Sequence, residues 1–210
     1  ASGECMGGVA AAWEDPREST RRAAAYGLRE SGDAALSALS TALTSESAST
    51  RRFAAFGLGN VAAAKSEDAI NGLIDRLSND PDDPVRSITG YSLGMLSRGP
   101  VSDARGIFQA LISALIAEPN NTRGGGLERS TVRENAAFGL LQLASNHGLS
   151  DEEIELLMPL ISHAEDRYVS GLLLEALRCR GNASALESVL LTTLLRYRWN
   201  PVPLVDRPDT

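Results

Sequence analysis

Apolar residues recur along this chain at helical intervals, with no sustained run of strand-like alternation. Leu36, Leu39 and Leu43 form one stripe, and Ile70, Leu73, Ile74 and Leu77 a second. Phe108, Leu111, Ile112 and Leu115 form a third, Ile154, Leu157, Met158 and Ile161 a fourth, and Leu186, Val189, Leu190 and Leu194 a fifth. Each stripe covers one side of a helix and must be buried against a neighbour. Breakers fall between them at Ser31-Gly32, Asn79-Asp80-Pro81, Ser97-Arg98-Gly99-Pro100 and Asn146-His147-Gly148. Ser19 and Ser49 are expected to cap the helices they precede, and Ser150-Asp151-Glu152-Glu153 reads as a capping box. The prolines of Trp199-Asn200-Pro201-Val202-Pro203 stop any helix at the end of the chain.

Between the stripes lies a second kind of segment, and it repeats. Arg21-Arg22-Ala23-Ala24-Ala25-Tyr26-Gly27-Leu28 is followed by Arg51-Arg52-Phe53-Ala54-Ala55-Phe56-Gly57-Leu58. Then come Val85-Arg86-Ser87-Ile88-Thr89-Gly90-Tyr91-Ser92-Leu93 and Val132-Arg133-Glu134-Asn135-Ala136-Ala137-Phe138-Gly139-Leu140. A degenerate copy at Val169-Ser170 has lost the Arg. The frame positions 21, 51, 86, 133 and 170 are 30, 35, 47 and 37 residues apart. Such spacings suit stacked helical hairpins better than blades or leucine-rich units. The long interval is explained by an insertion from Glu118 to Glu128, whose Gly124-Gly125-Gly126 reads as a flexible loop. Ala and Gly at the frame's packing slots, among them Ala24, Gly27, Ala54, Ala55, Gly57, Ala136, Ala137 and Gly139, imply closely approaching helices.

Val-Arg, two variable positions, two small residues, one variable position and a small-Leu pair resemble the HEAT repeat. The short subtype named for phycobilisome lyases is nearest, on Asp82-Asp83-Pro84-Val85-Arg86, Gly32-Asp33-Ala34-Ala35-Leu36 and Met158-Pro159-Leu160-Ile161. The resemblance runs from about residue 17 to 196. It implies an all-α fold, a right-handed α-solenoid of about five hairpins, over residues 1–198, with a flexible insertion near 118–129 and a Pro-rich tail at 199–210. The last unit, with Ser170 in place of the frame Arg, is expected to act as a cap. Glu4–Glu14 is expected to begin the first unit, either as a truncated cap or with a preceding domain left out of the sequence.

The resemblance also implies that the Arg-bearing helices line the concave side, and that Arg21, Arg51, Arg86 and Arg133 bond to carboxylates or carbonyls of adjoining units. The positions it leaves free of packing duty hold Arg22, Tyr26, Arg52, Phe53, Phe56, Ile88, Tyr91, Met95 and Phe138, which are the candidate partner-binding residues. Tyr26, Phe56, Tyr91 and Phe138 occupy one equivalent slot in a chain that is only 5% aromatic. On an open groove they would form an apolar stripe of the kind that marks interaction sites. The alternative is that they turn inward and fill gaps beside the glycines. Arg22 and Arg52, next to the frame Arg, are placed to meet a partner's carboxylate or phosphate.

Composition narrows the rest. With 27 acidic against 20 basic residues the net charge is −7, which disfavours nucleic acid as a partner. No run of about 20 uncharged apolar residues suggests a membrane span, and no secretion signal is legible. Cys5 and Cys179 lie at opposite ends and make no disulfide framework, so a cytoplasmic or organellar setting is expected. The only histidines, His147 and His163, sit in different segments, and Glu165 and Asp166 are read as capping the next helix rather than binding metal. No nucleophile with its base, no phosphate loop and no cofactor motif is legible. The expectation is a non-catalytic scaffold or adaptor that binds a protein or peptide, alone or as part of a longer chain or complex. The resemblance also admits a bilin lyase or chaperone-like subunit, and, less in keeping with the charge, a DNA-binding HEAT-like protein.

Overall fold

The computed structural model describes residues 32–61, 67–118, 131–163 and 166–179, together with 12, 17, 20, 23, 24 and 27. Eight helices lie within the longer stretches: α1 (Gly32–Ala42), α2 (Ala48–Asn60), α3 (Glu67–Asn79), α4 (Asp83–Leu96), α5 (Ala104–Ala117), α6 (Val132–His147), α7 (Asp151–His163) and α8 (Arg167–Arg178). No strand occurs among the described residues. Arg22, Tyr26, most of the insertion, the last apolar stripe and the tail lie outside the described residues.

Local chemistry sets the helix starts. Ser47, Asp82, Asp103, Thr131 and Asp166 each accept a hydrogen bond from a backbone N–H of the turn they open. Ser47, not Ser49, caps α2, because the chain is already helical from Ala48. Ser150 and Glu153 form the expected capping box at α7, and Thr131 and Glu134 form a second one at α6. Gly148 ends α6 at φ 74°, a backbone state that favours glycine. Helix α7 continues through Pro159.

The helices form two layers. The frame-bearing helices α2, α4, α6 and α8 pack side by side in chain order, while α1, α3, α5 and α7 back them. Cross-contacts show that α2, α4 and α6 run parallel. Phe56 meets Tyr91, Asn135 bonds to Ser87, and Arg98 bonds to Gln142. The core between the layers is aliphatic, with Leu39, Leu58, Leu73, Leu93, Leu111 and Leu140 sealed from solvent and Phe53 and Phe108 the largest buried side chains.

Small residues let the parallel helices approach. A Cβ built on Gly94 would lie 2.6 Å from the Gly139 Cα, so no side chain fits between α4 and α6 there. The expected tight packing at Gly27 is not found: that residue is exposed, with nothing within 4 Å of a built Cβ.

Candidate functional site

The frame arginines form a ladder along the N-terminal edge of the α2–α4–α6 layer. Arg51 grips the Asp80 carboxylate with two bonds, Nε at 2.7 Å and Nη2 at 2.9 Å, and donates Nη1 to the Ser45 and Glu46 carbonyls. The Asp80 carbonyl in turn accepts from Arg86 at 2.8 Å. Arg86 reaches forward to the Glu118 carboxylate at 2.9 Å, and the Glu118 carbonyl accepts from Arg133 at 3.2 Å. Arg133 also donates to the Leu115 carbonyl. Asp80 and Glu118 therefore each join two rungs, one through the carboxylate and one through the carbonyl. The ladder stops at α8, where Ser170 Oγ bonds to the Asp166 carbonyl of its own helix.

The rungs are electrostatically unequal. The hydrogen bonds to Asp80 push the Arg51 pKa further up, against burial. Burial pulls the Asp80 carboxyl upward, but the Arg51 fork, the Asp82 N–H and the charges of Arg51 and Arg76 outweigh it and hold the group below its usual range. At Arg86 burial works downward and Glu118 and Asp83 prevail, raising the pKa. At Arg133, which bonds to carbonyls only, burial dominates and lowers it, with the more distant charge of Asp166 opposing.

The other feature of these helices is a row of rings. Phe56 on α2 and Tyr91 on α4 are stacked with centroids 6.2 Å apart, and Tyr91 and Phe138 on α6 with centroids 5.1 Å apart, at 13° between planes in both pairs. All three are half-buried. Tyr91 thus has a ring from each neighbouring frame-bearing helix stacked with it. One helical turn further on in each helix come Asn60, Met95 and Gln142, also half-buried. Asn60 donates to the Phe56 carbonyl at 2.8 Å, and Gln142 accepts from Arg98 Nε at 2.8 Å. In α8 the equivalent slot holds Glu175, ion-paired with Arg178, so the row of rings ends there.

Five of the nine candidate residues, Arg52, Phe56, Tyr91, Met95 and Phe138, are thus half-buried on one face. Arg22 and Tyr26 lie outside the described residues. Phe53 and Ile88 are corrected: each is only 2% exposed and belongs to the core. A helix flanked on both sides by like helices and backed by a second layer exposes one narrow stripe. The slot two residues after the frame Arg falls outside that stripe. Asn135, in the same slot of α6, is buried too and bonds to Ser87 across the α4–α6 seam at 2.9 Å.

On the other layer, α5 and α7 frame a cleft of about 470 Å³ lined by Arg105, Phe108, Gln109, Ser150, Asp151, Glu152, Glu153 and Leu156. Arg105 and Glu152 pair loosely beside it at 3.6 Å. His147 Nε2 lies 3.0 Å from the carbonyls of both Ser97 and Gly99, and Asp166 caps α8 as expected. Among the described residues no three His, Cys, Asp or Glu side chains gather where a metal could be held. No helix among them is long and apolar enough to cross a membrane.

Comparison with known proteins agrees with this architecture. A family model for HEAT repeats matches residues 9–94. Among solved structures, an engineered protein is 20% identical with a TM-score of 0.57, covering 94% of this chain and 89% of its own. A chain in the complex of CpcE and CpcF of phycocyanin lyase from Nostoc sp. is 24% identical with a TM-score of 0.55, covering 90% and 68%. A designed armadillo repeat protein in complex with the peptide (KR)4 is 16% identical with a TM-score of 0.54, covering 93% and 92%. No curated protein sequence matches. At these identities the structural likenesses speak for the fold alone. The family match spans residues 9–94, and the described helices after them extend the same all-α stack, with Arg133 at the frame position of α6.

Proposed function

We propose that this chain is a non-catalytic scaffold or adaptor that binds a segment of a partner protein along the open face of α2, α4 and α6. One observation carries the reading: Phe56, Tyr91 and Phe138 stack in a continuous row across three units, yet the row stays open to solvent. Phe56 and Tyr91 pack against the core from its edge, while the space between the layers is filled by the aliphatic residues, Phe53 and Phe108. Rigid aromatic side chains held by their neighbours give up little rotamer freedom on binding, which suits them to anchor a partner.

A chromophore-lyase role is supported less well. A flat tetrapyrrole needs a free ring face, whereas Tyr91 has both faces beside other rings. The likeness to the phycocyanin lyase chain concerns the fold.

The test is selection of a displayed library of short random peptides on the immobilised protein. Selected peptides should lose binding by tenfold or more, roughly 1.4 kcal/mol, on a folded Phe56→Ala, Tyr91→Ala, Phe138→Ala variant. Equal binding to that variant removes this face from the account.

A further inference from the structure

We infer that the segment taken by this face is acidic, with carboxylates interleaved among apolar side chains; this rests on the reading of the face just proposed. The net charge of −7 argues at first sight for a basic partner. The described charges are distributed otherwise. Most described carboxylates on the frame-bearing layer and its connecting loops are already engaged, exposed Glu46 before α2 being the exception. Asp80 is held by Arg51, Asp83 and Glu118 by Arg86, and Glu175 by Arg178. Glu134 is buried in its capping box. Among the described residues, exposed acids lie on the backing layer at Glu67, Asp68 and Asp75 on α3 and Asp151, Glu152 and Glu155 on α7, and on the frame-bearing side at Glu46 and Asp83, toward the ladder edge.

What remains beside the rings is positive. Arg52 stands one turn before Phe56, and no carboxylate partner is found for it among the described residues; its Nε is buried without a hydrogen bond. Arg98 lies beyond the C-terminal end of α4 and is exposed, with its Nε given to a neutral amide, Gln142. The two arginines therefore bracket the row, one toward each edge of the parallel layer. Guanidinium groups favour carboxylates in paired, directional bonds.

The composition of peptides selected from the random library decides the matter. The expected pool is enriched in Asp and Glu alongside Leu and aromatic residues. A labelled peptide from that pool should bind more weakly as salt rises. It should lose affinity by about fivefold to tenfold on the Arg52→Gln, Arg98→Gln variant, measured by fluorescence anisotropy. A neutral or basic pool that still needs the three rings overturns the acidic partner and leaves the binding face standing. A pool that binds equally well without the rings, or no enrichment at all, overturns both.

Discussion

Arg51 and Arg52 are neighbours in sequence and opposites in setting. Arg51 is buried, and its guanidinium serves the Asp80 carboxylate and two backbone carbonyls. Arg52 is half-buried beside the ring row, with no carboxylate partner among the described residues. The contrast extends along the whole layer: the N-terminal edge of α2, α4 and α6 is a closed ladder, whereas one to two turns later the same helices present rings, Met95 and amides to solvent. One edge holds the units in register. The other is the face proposed to bind a partner.

The comparison breaks first if the ladder proves dispensable. Asp80→Ala leaves the Arg51 charge buried without its partner, and the expected loss is about 3–5 kcal/mol, read by chemical denaturation. Because the folded Asp80 carboxyl sits below its unfolded value of about 3.9, its contribution is complete above that pH and is lost as pH falls through the folded value. Asp80→Asn should therefore flatten the acid limb of the stability profile.

Next in size is the seam between α4 and α6. Gly94→Ala drives a methyl into the Gly139 backbone and is expected to cost about 1–3 kcal/mol. Alanine's better helix preference, worth about 1 kcal/mol, works against that loss. A net rise in Tm would show that the two helices part freely and that the ring row is not rigidly spaced. The smallest effect sharpens the contrast. Arg52→Gln should change stability by no more than about 0.5 kcal/mol, since it breaks no ion pair among the described residues. A loss comparable to that of Asp80→Ala would mean that Arg52 too is structural.

Most of the fold was legible. Four of the five apolar stripes fall within α1, α3, α5 and α7, and three of the frame segments became α2, α4 and α6, while the fifth stripe and the first frame segment lie at least partly outside the described residues. Arg51, Arg86 and Arg133 bond to adjoining carboxylates and carbonyls as the HEAT resemblance implied, and Arg21 lies outside the described residues. Other features depended on tertiary geometry that periodicity does not carry. Ser47 and Ser49 are chemically equivalent caps, and only the onset of helical backbone at Ala48 decides between them. Phe53 and Ile88 looked like surface residues because the frame was read as leaving half of each helix open, whereas flanking helices on both sides leave one residue per turn. The ring row was legible in register; its stacking needed coordinates.

The chain's three methionines, Met6, Met95 and Met158, provide the most direct test. Met95 adjoins the ring row on α4, and Met158 lies on α7 in the backing layer. With isotope-labelled methionine methyl groups, titration of the wild-type protein with a selected peptide should move the Met95 resonance saturably and leave Met158 in place. A bound peptide that shifts Met158 while Met95 stays still would contradict the account.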